Sequence, residues 1–161
     1  SGVLQARNML TQRTFGPACS ARTKIEVGDM KNGDYAGLIA LQRRYGFVGV
    51  KMQGDNKSII MVRAQSNASE EVESLPLRQQ TVHLRIDCDF RDRVDKADFY
   101  YSLDGKVWTR IGETLQMVYT LPHFMGYRFG LFNFATVNPG GFVDFDYYRV
   151  SDDLDEVPVQ Q

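Results

Sequence analysis

Four aspartates stand at spacings that could do chemistry. Asp87 and Asp89 alternate with apolar residues, as do Asp144 and Asp146. On a strand, residues i and i+2 share a face about 6.5–7 Å apart. Paired carboxyl groups that hydrolyse glycosides stand about 5–9.5 Å apart, so spacing alone admits sugar hydrolysis. Sandwich-fold glucanases carry Glu-x-Asp-x-Glu or Glu-x-Asp-x-x-Glu on one strand, and neither pattern occurs here. Charged pairs are also the ordinary furniture of a strand's wet face. The chain has no G-x-S-x-G elbow, phosphate loop or H-E-x-x-H motif.

Metal chemistry has candidates. Calcium takes six to eight oxygen ligands, drawn from carboxylates and loop carbonyls. Asp144 and Asp146 are candidate ligands of a structural calcium ion, and Asp29, Asn32 and Asp34 form a second loop set. Turn chemistry explains such residues equally well. Cys19, Cys88, His83 and His123 show no zinc spacing. The two cysteines fit either a disulfide or two small buried side chains.

Sugar binding offers the broadest set. A sugar ring has an apolar C–H face and a rim of hydroxyls, so it is matched by an exposed aromatic flanked by hydrogen-bonding side chains. Tyr35, Gln42, Tyr45, Trp108, Phe124, Tyr127, Arg128 and Asn133 are the candidates. Each aromatic among them has a competing role in the core. Millimolar affinity needs only about 4 kcal/mol, which two or three good contacts supply.

The elements that must position these residues are strands. The chain has 161 residues, enough for one domain with a sizeable core, and 12% of them are aromatic. Val82, Leu84, Ile86, Cys88 and Phe90 alternate with His83, Arg85, Asp87 and Asp89. That period of two predicts a strand over 81–90 with one buried and one wet face. Similar runs predict strands over 20–27, 35–43, 47–53, 59–65, 97–102, 107–111, 127–134 and 142–149. Leu103-Asp104-Gly105-Lys106 predicts a hairpin through a type I′ turn. Residues 66–77 read as a polar loop holding at most a short strand, with a helical turn over 69–73 as the alternative. About nine strands at regular spacing predict an all-β fold: a two-sheet antiparallel sandwich or jelly roll.

Bulk properties exclude other classes. The formal net charge is −1, without the basic surplus that phosphate binding needs. No apolar run approaches the roughly 20 residues of a membrane-spanning helix. The chain opens on Ser1-Gly2 and reads as a fragment of a longer protein, with residues 1–7 as linker, 8–151 as the sandwich and 152–161 as a loose acidic tail.

An ordered set of motifs then resembles a known family. The stretch from Asn8 to Pro17 (NMLTQRTFGP) is similar to an opening of the form "nLLTQRtxGP". Gly33-Asp34-Tyr35-Ala36-Gly37-Leu38 matches G-D-x-A-G-L, and residues 99–108 match "FYYSLDGxxW". Residues 123–133 and 140–147 continue the set. Together they resemble the C-terminal concanavalin A-like module of family 43 glycoside hydrolases of the β-xylosidase and arabinofuranosidase type.

That resemblance implies a sandwich attached to a five-bladed propeller that performs hydrolysis, so the module itself carries no catalytic residue. It implies a secreted, larger bacterial enzyme acting on plant cell-wall hemicellulose. Some such modules are xylan-binding carbohydrate-binding modules. In β-xylosidases the phenylalanine of a Phe-x-Gly segment reaches the active-site rim, a role that falls on Phe124 of Phe124-Met125-Gly126. Here His123 precedes it and Tyr127-Arg128 follow. Three readings emerge: a module that binds xylan, arabinoxylan or xylo-oligosaccharides; a structural partner that completes the propeller's pocket; and, weakest, a sandwich-fold hydrolase using Asp87 or Asp144.

Overall fold

The computed structural model describes Val3, residues 9–42, 44–65, 68–118, 126–152, Leu154 and 159–160. Its strands are β1 (Met9–Arg13), β2 (Ala18–Glu26), β3 (Asp34–Leu41), β4 (Tyr45–Gln53), β5 (Asn56–Ala64), β6 (Ser69–Leu77), β7 (Thr81–Asp89), β8 (Lys96–Ser102), β9 (Trp108–Arg110), β10 (Leu115–Gln116), β11 (Arg128–Ala135), β12 (Asp144–Ser151) and β13 (Val159–Gln160). A 3-10 turn at Arg91–Arg93 joins β7 to β8.

Two sheets form. One has six strands in the order β1-β11-β3-β4-β5-β6; the other has seven, β12-β2-β7-β8-β9-β13, with β10 on β8. The strand pairs are antiparallel, except that β13 runs parallel to β9. The end of the tail expected to be loose therefore joins a sheet edge.

Period two explains the core. Ile25, Leu38, Val48, Ile59, Leu84, Ile86, Phe99 and Phe129 come from alternate positions and fill the space between the sheets. A second apolar cluster lies on the outer face of the six-stranded sheet, built from Ile39, Phe47, Ile60, Val62 and Phe132, with Val3 packed into it. Both faces of that sheet are thus apolar, which is why β3 and β4 read as near-continuous hydrophobic runs.

Three expectations change. Residues 69–77 form a nine-residue strand, not a loop or a helical turn. This strand lies at the sheet edge and most of its side chains stay in water, so no apolar alternation marks it. Met9–Arg13 is also a strand, at the opposite edge.

The connection between β8 and β9 is not a type I′ turn. Only Gly105 has positive φ there (+76°), and Asp104 does not. The Asp104 carboxylate organises the loop instead: its Oδ1 accepts from the amides of Lys106 (2.8 Å) and Val107 (2.9 Å). These bonds hold its pKa at about 2; Asp89, bonded to the Arg91 side chain, also falls to about 2. Both values are depressed from 3.8. The stability these groups confer is complete above pH 3.8 and is lost as pH falls toward 2. The melting temperature should stay level from neutral pH to about 5 and then drop toward pH 2. Asp104→Asn should make that drop shallower in calorimetry, and an unchanged acid slope would refute the assignment.

Candidate site on the six-stranded sheet

Register places aromatic rings side by side on the outer face of the six-stranded sheet. Tyr35 of β3 pairs with Phe134 of β11, and Gly37 pairs with Phe132. The Tyr35 and Phe134 rings stack, with centroids 5.1 Å apart and planes 1° from parallel. Phe132 lies 5.9 Å from Phe134 and meets Phe47 edge-on at 4.9 Å. With no side chain at Gly37 between them, Phe132 reaches across to Phe47. The result is a ladder of four rings whose outer end, Tyr35 and Phe134, is half-buried.

A charged pair flanks that end. Lys51 is the partner of Tyr35 on β4, and its Nζ donates to both carboxylate oxygens of Glu71 on β6 (2.8 and 2.7 Å). A ring face beside a fixed ammonium and carboxylate matches the apolar face and hydroxyl rim of a sugar. Phe132 and Phe134 both fall on the same parity of 128–135, so alternation alone could have marked them; Lys51 and Glu71 carried no such signal.

A groove of about 610 Å³ opens at one side of the sandwich, lined by Leu10, Leu131, Phe132, Asn133, Phe145 and Tyr148 among others. The pairing of β1 with β11 ends at Met9 and Phe132, so Asn133 lies just beyond it. Asn133 is half-buried there. The Tyr148 hydroxyl is buried without a partner, and burial pushes its pKa up to about 12.

The remaining sugar-binding candidates are dispersed. Trp108 is 2% exposed, on the outer face of the seven-stranded sheet, with the guanidiniums of Arg22 and Arg85 each 5.9 Å from its ring centroid. Tyr45 and Tyr127 are also buried. The Tyr127 hydroxyl accepts from the Val118 amide at 3.1 Å. The expectation that these three rings are free platforms is corrected: each is spent on packing. Gln42 and Arg128 are half-buried and lie at the far end of β3 and β11 from Tyr35, since Arg128 pairs with Leu41. Phe124 and His123 lie outside the described residues. Tyr35 and Asn133 lie at one end of the sheet on neighbouring strands but on opposite faces, since Asn133 pairs with the core residue Ala36 whereas Tyr35 pairs with Phe134.

Asp87, Asp89 and Asp146 are held by cations, Asp89 by Arg91. Asp87 receives two bonds from Arg85 (2.6 and 2.7 Å) and one from Ser20 (2.7 Å). Asp146 bonds Lys24 at 2.6 Å. A bulge between Phe145 and Tyr147 breaks the regular i, i+2 relation on which the Asp144–Asp146 pair was read. An ammonium on the Asp146 oxygen does not fit a calcium ligand, and no group of three or more His, Cys, Asp or Glu could hold a metal among the described residues. Asp34 serves its local turn, accepting from the Lys31 amide, and Asn32 accepts from the Gly54 amide in the turn between β4 and β5. No carboxylate is among the residues lining the groove.

Two antiparallel sheets stacked over one core define a concanavalin A-like sandwich domain. Residues 2–151 match the family described as the β-xylosidase C-terminal concanavalin A-like domain, and the chain belongs to it. A bifunctional family 43 and carbohydrate-esterase enzyme of Bacteroides eggerthii is 52% identical, with a TM-score of 0.92 over 96% of this chain and 20% of that one. An engineered family 43 hydrolase described as having both endo-xylanase and exo-arabinofuranosidase activity is 32% identical, with a TM-score of 0.87 over 94% of this chain and 32% of that one. A β-xylosidase of Formosa agariphila is 25% identical over 145 residues, 89% of this chain and 23% of the relative. The chain thus spans between a fifth and a third of these relatives.

Proposed function

We propose that this chain is a non-catalytic carbohydrate-recognition module of a secreted, xylan-degrading family 43 glycoside hydrolase. It holds xylan, arabinoxylan or their oligosaccharides near a propeller catalytic domain and so raises local substrate concentration. The stacked Tyr35–Phe134 pair beside Lys51 and Glu71 carries this reading. The arginine- and lysine-held Asp87, Asp89 and Asp146 support a role without bond cleavage.

Affinity electrophoresis of the chain through gels containing xylan or arabinoxylan tests it. Retardation is expected for the native chain and for Tyr35→Phe. Tyr35→Ala should bind at least about tenfold more weakly, since one stacked ring is worth about 1.5 kcal/mol or more. Free passage of the native chain through every xylan gel would sink the reading.

A second reading, the structural partner that completes a propeller's pocket, is favoured by exposed apolar side chains. Leu10 is 63% and Phe142 53% exposed, apolar surface a packed partner would cover. Under that reading the chain alone shows no retardation in any of these gels.

A further inference from the structure

Cys19 on β2 and Cys88 on β7 are direct register partners. Both are fully buried free thiols that point into the space between the sheets, among Ala21, Leu84, Ile86 and Ala97. Directly opposed residues of an antiparallel pair have Cβ atoms about 4.5–5.5 Å apart, and a disulfide needs about 3.5–4.5 Å. A small approach of the two strands covers the difference. No other cysteine exists in the chain to compete.

We propose that Cys19 and Cys88 are a disulfide site, closed by exchange with an oxidised low-molecular-weight or protein disulfide during folding. The thiolate of one cysteine attacks a sulfur of the donor disulfide, forming a mixed disulfide and releasing one donor thiolate. The second cysteine, as thiolate, attacks the protein sulfur of that mixed disulfide and releases the other donor thiolate. Two protein thiols are oxidised, one donor disulfide is reduced to two thiols, and two protons pass from protein to donor. In the folded chain the Cys88 thiol holds the Cys19 pKa below its ordinary value, whereas burial pushes that of Cys88 up. Because both sulfurs are inaccessible in the folded chain, closure precedes completion of the core. The bond would tie two adjacent strands across a loop of about 70 residues and so restrict the unfolded chain.

The test is refolding from guanidinium with oxidised and reduced glutathione, compared with refolding under dithiothreitol. The oxidatively refolded chain should be monomeric, about 2 Da lighter and closed to alkylation in denaturant. It should melt roughly 10 °C above the reduced form. Cys19→Ala and Cys88→Ala should each abolish that difference between the two conditions. Two alkylatable thiols after oxidative refolding, disulfide-linked dimers, or an oxidised monomer that melts no higher than the reduced chain would each overturn the proposal.

Discussion

Asp87→Ala is expected to destabilise the chain by about 3–5 kcal/mol, one of the two largest effects of a single substitution foreseen here. Asp87 forms a bidentate pair with Arg85, and the Arg85 side chain is only 4% exposed. The guanidinium also lies 5.6 Å from the Tyr100 ring and 5.9 Å from Trp108. Removing the carboxylate takes the counter-charge from a cation that water barely reaches, and desolvation then dominates. Replacing both partners by apolar residues, as in Arg85→Met with Asp87→Leu, should cost less than Asp87→Ala alone. Guanidinium denaturation of the three variants checks this. An Asp87→Ala chain within 1 kcal/mol of the native one would show that the pair is not holding the face together. The same residue was, with Asp144, a candidate for a hydrolase, and its geometry makes it a structural anion.

The second large effect lies at Gly37. A Cβ there would stand 2.4 Å from the Val48 carbonyl oxygen and 2.6 Å from the Gly49 Cα. Both are backbone atoms of β4, so no side chain can turn aside to relieve the clash. Gly37→Ala is expected to cost about 3 kcal/mol and to spread β3 from β4. The ring ladder crosses this point, because Phe132 pairs with Gly37. The Tyr35–Phe134 platform should therefore lose order as well, visible as reduced near-ultraviolet dichroism. Gly126→Ala is the control: among the described residues nothing lies within 4 Å of a Cβ there. It should change stability by no more than about 0.5 kcal/mol. Equal effects of the two substitutions would mean that loss of glycine flexibility, not contact, sets the cost.

Much of the fold was legible because it rests on local alternation. Val82, Leu84, Ile86 and Cys88 all point inward, as their spacing predicts, and His83, Arg85, Asp87 and Asp89 point out. The edge strand at Ser69–Leu77 escaped because its burial runs mostly exposed, and a strand bathed in water needs no apolar period. The Asp104 loop was misread because Asp-Gly signals a two-residue turn, whereas three of its side-chain bonds favour a longer one. Of the candidate site, only Tyr35 was visible as a residue type, and Phe132 and Phe134 share one parity. The partners of Tyr35, namely Phe134, Lys51 and Glu71, come from three other stretches of chain, joined only by strand register.

The amino-acid sequence by itself determined the two-sheet architecture and the family motifs, since period two and turn residues act within a few positions. Which aromatics are available to a ligand was decided only by tertiary structure. Trp108 and Tyr35 both sit on outward faces of their sheets, yet one is 2% exposed and the other half-buried. Alternation assigns a side chain to a face; whether that face is then covered depends on what distant segments pack over it, and no local pattern encodes that.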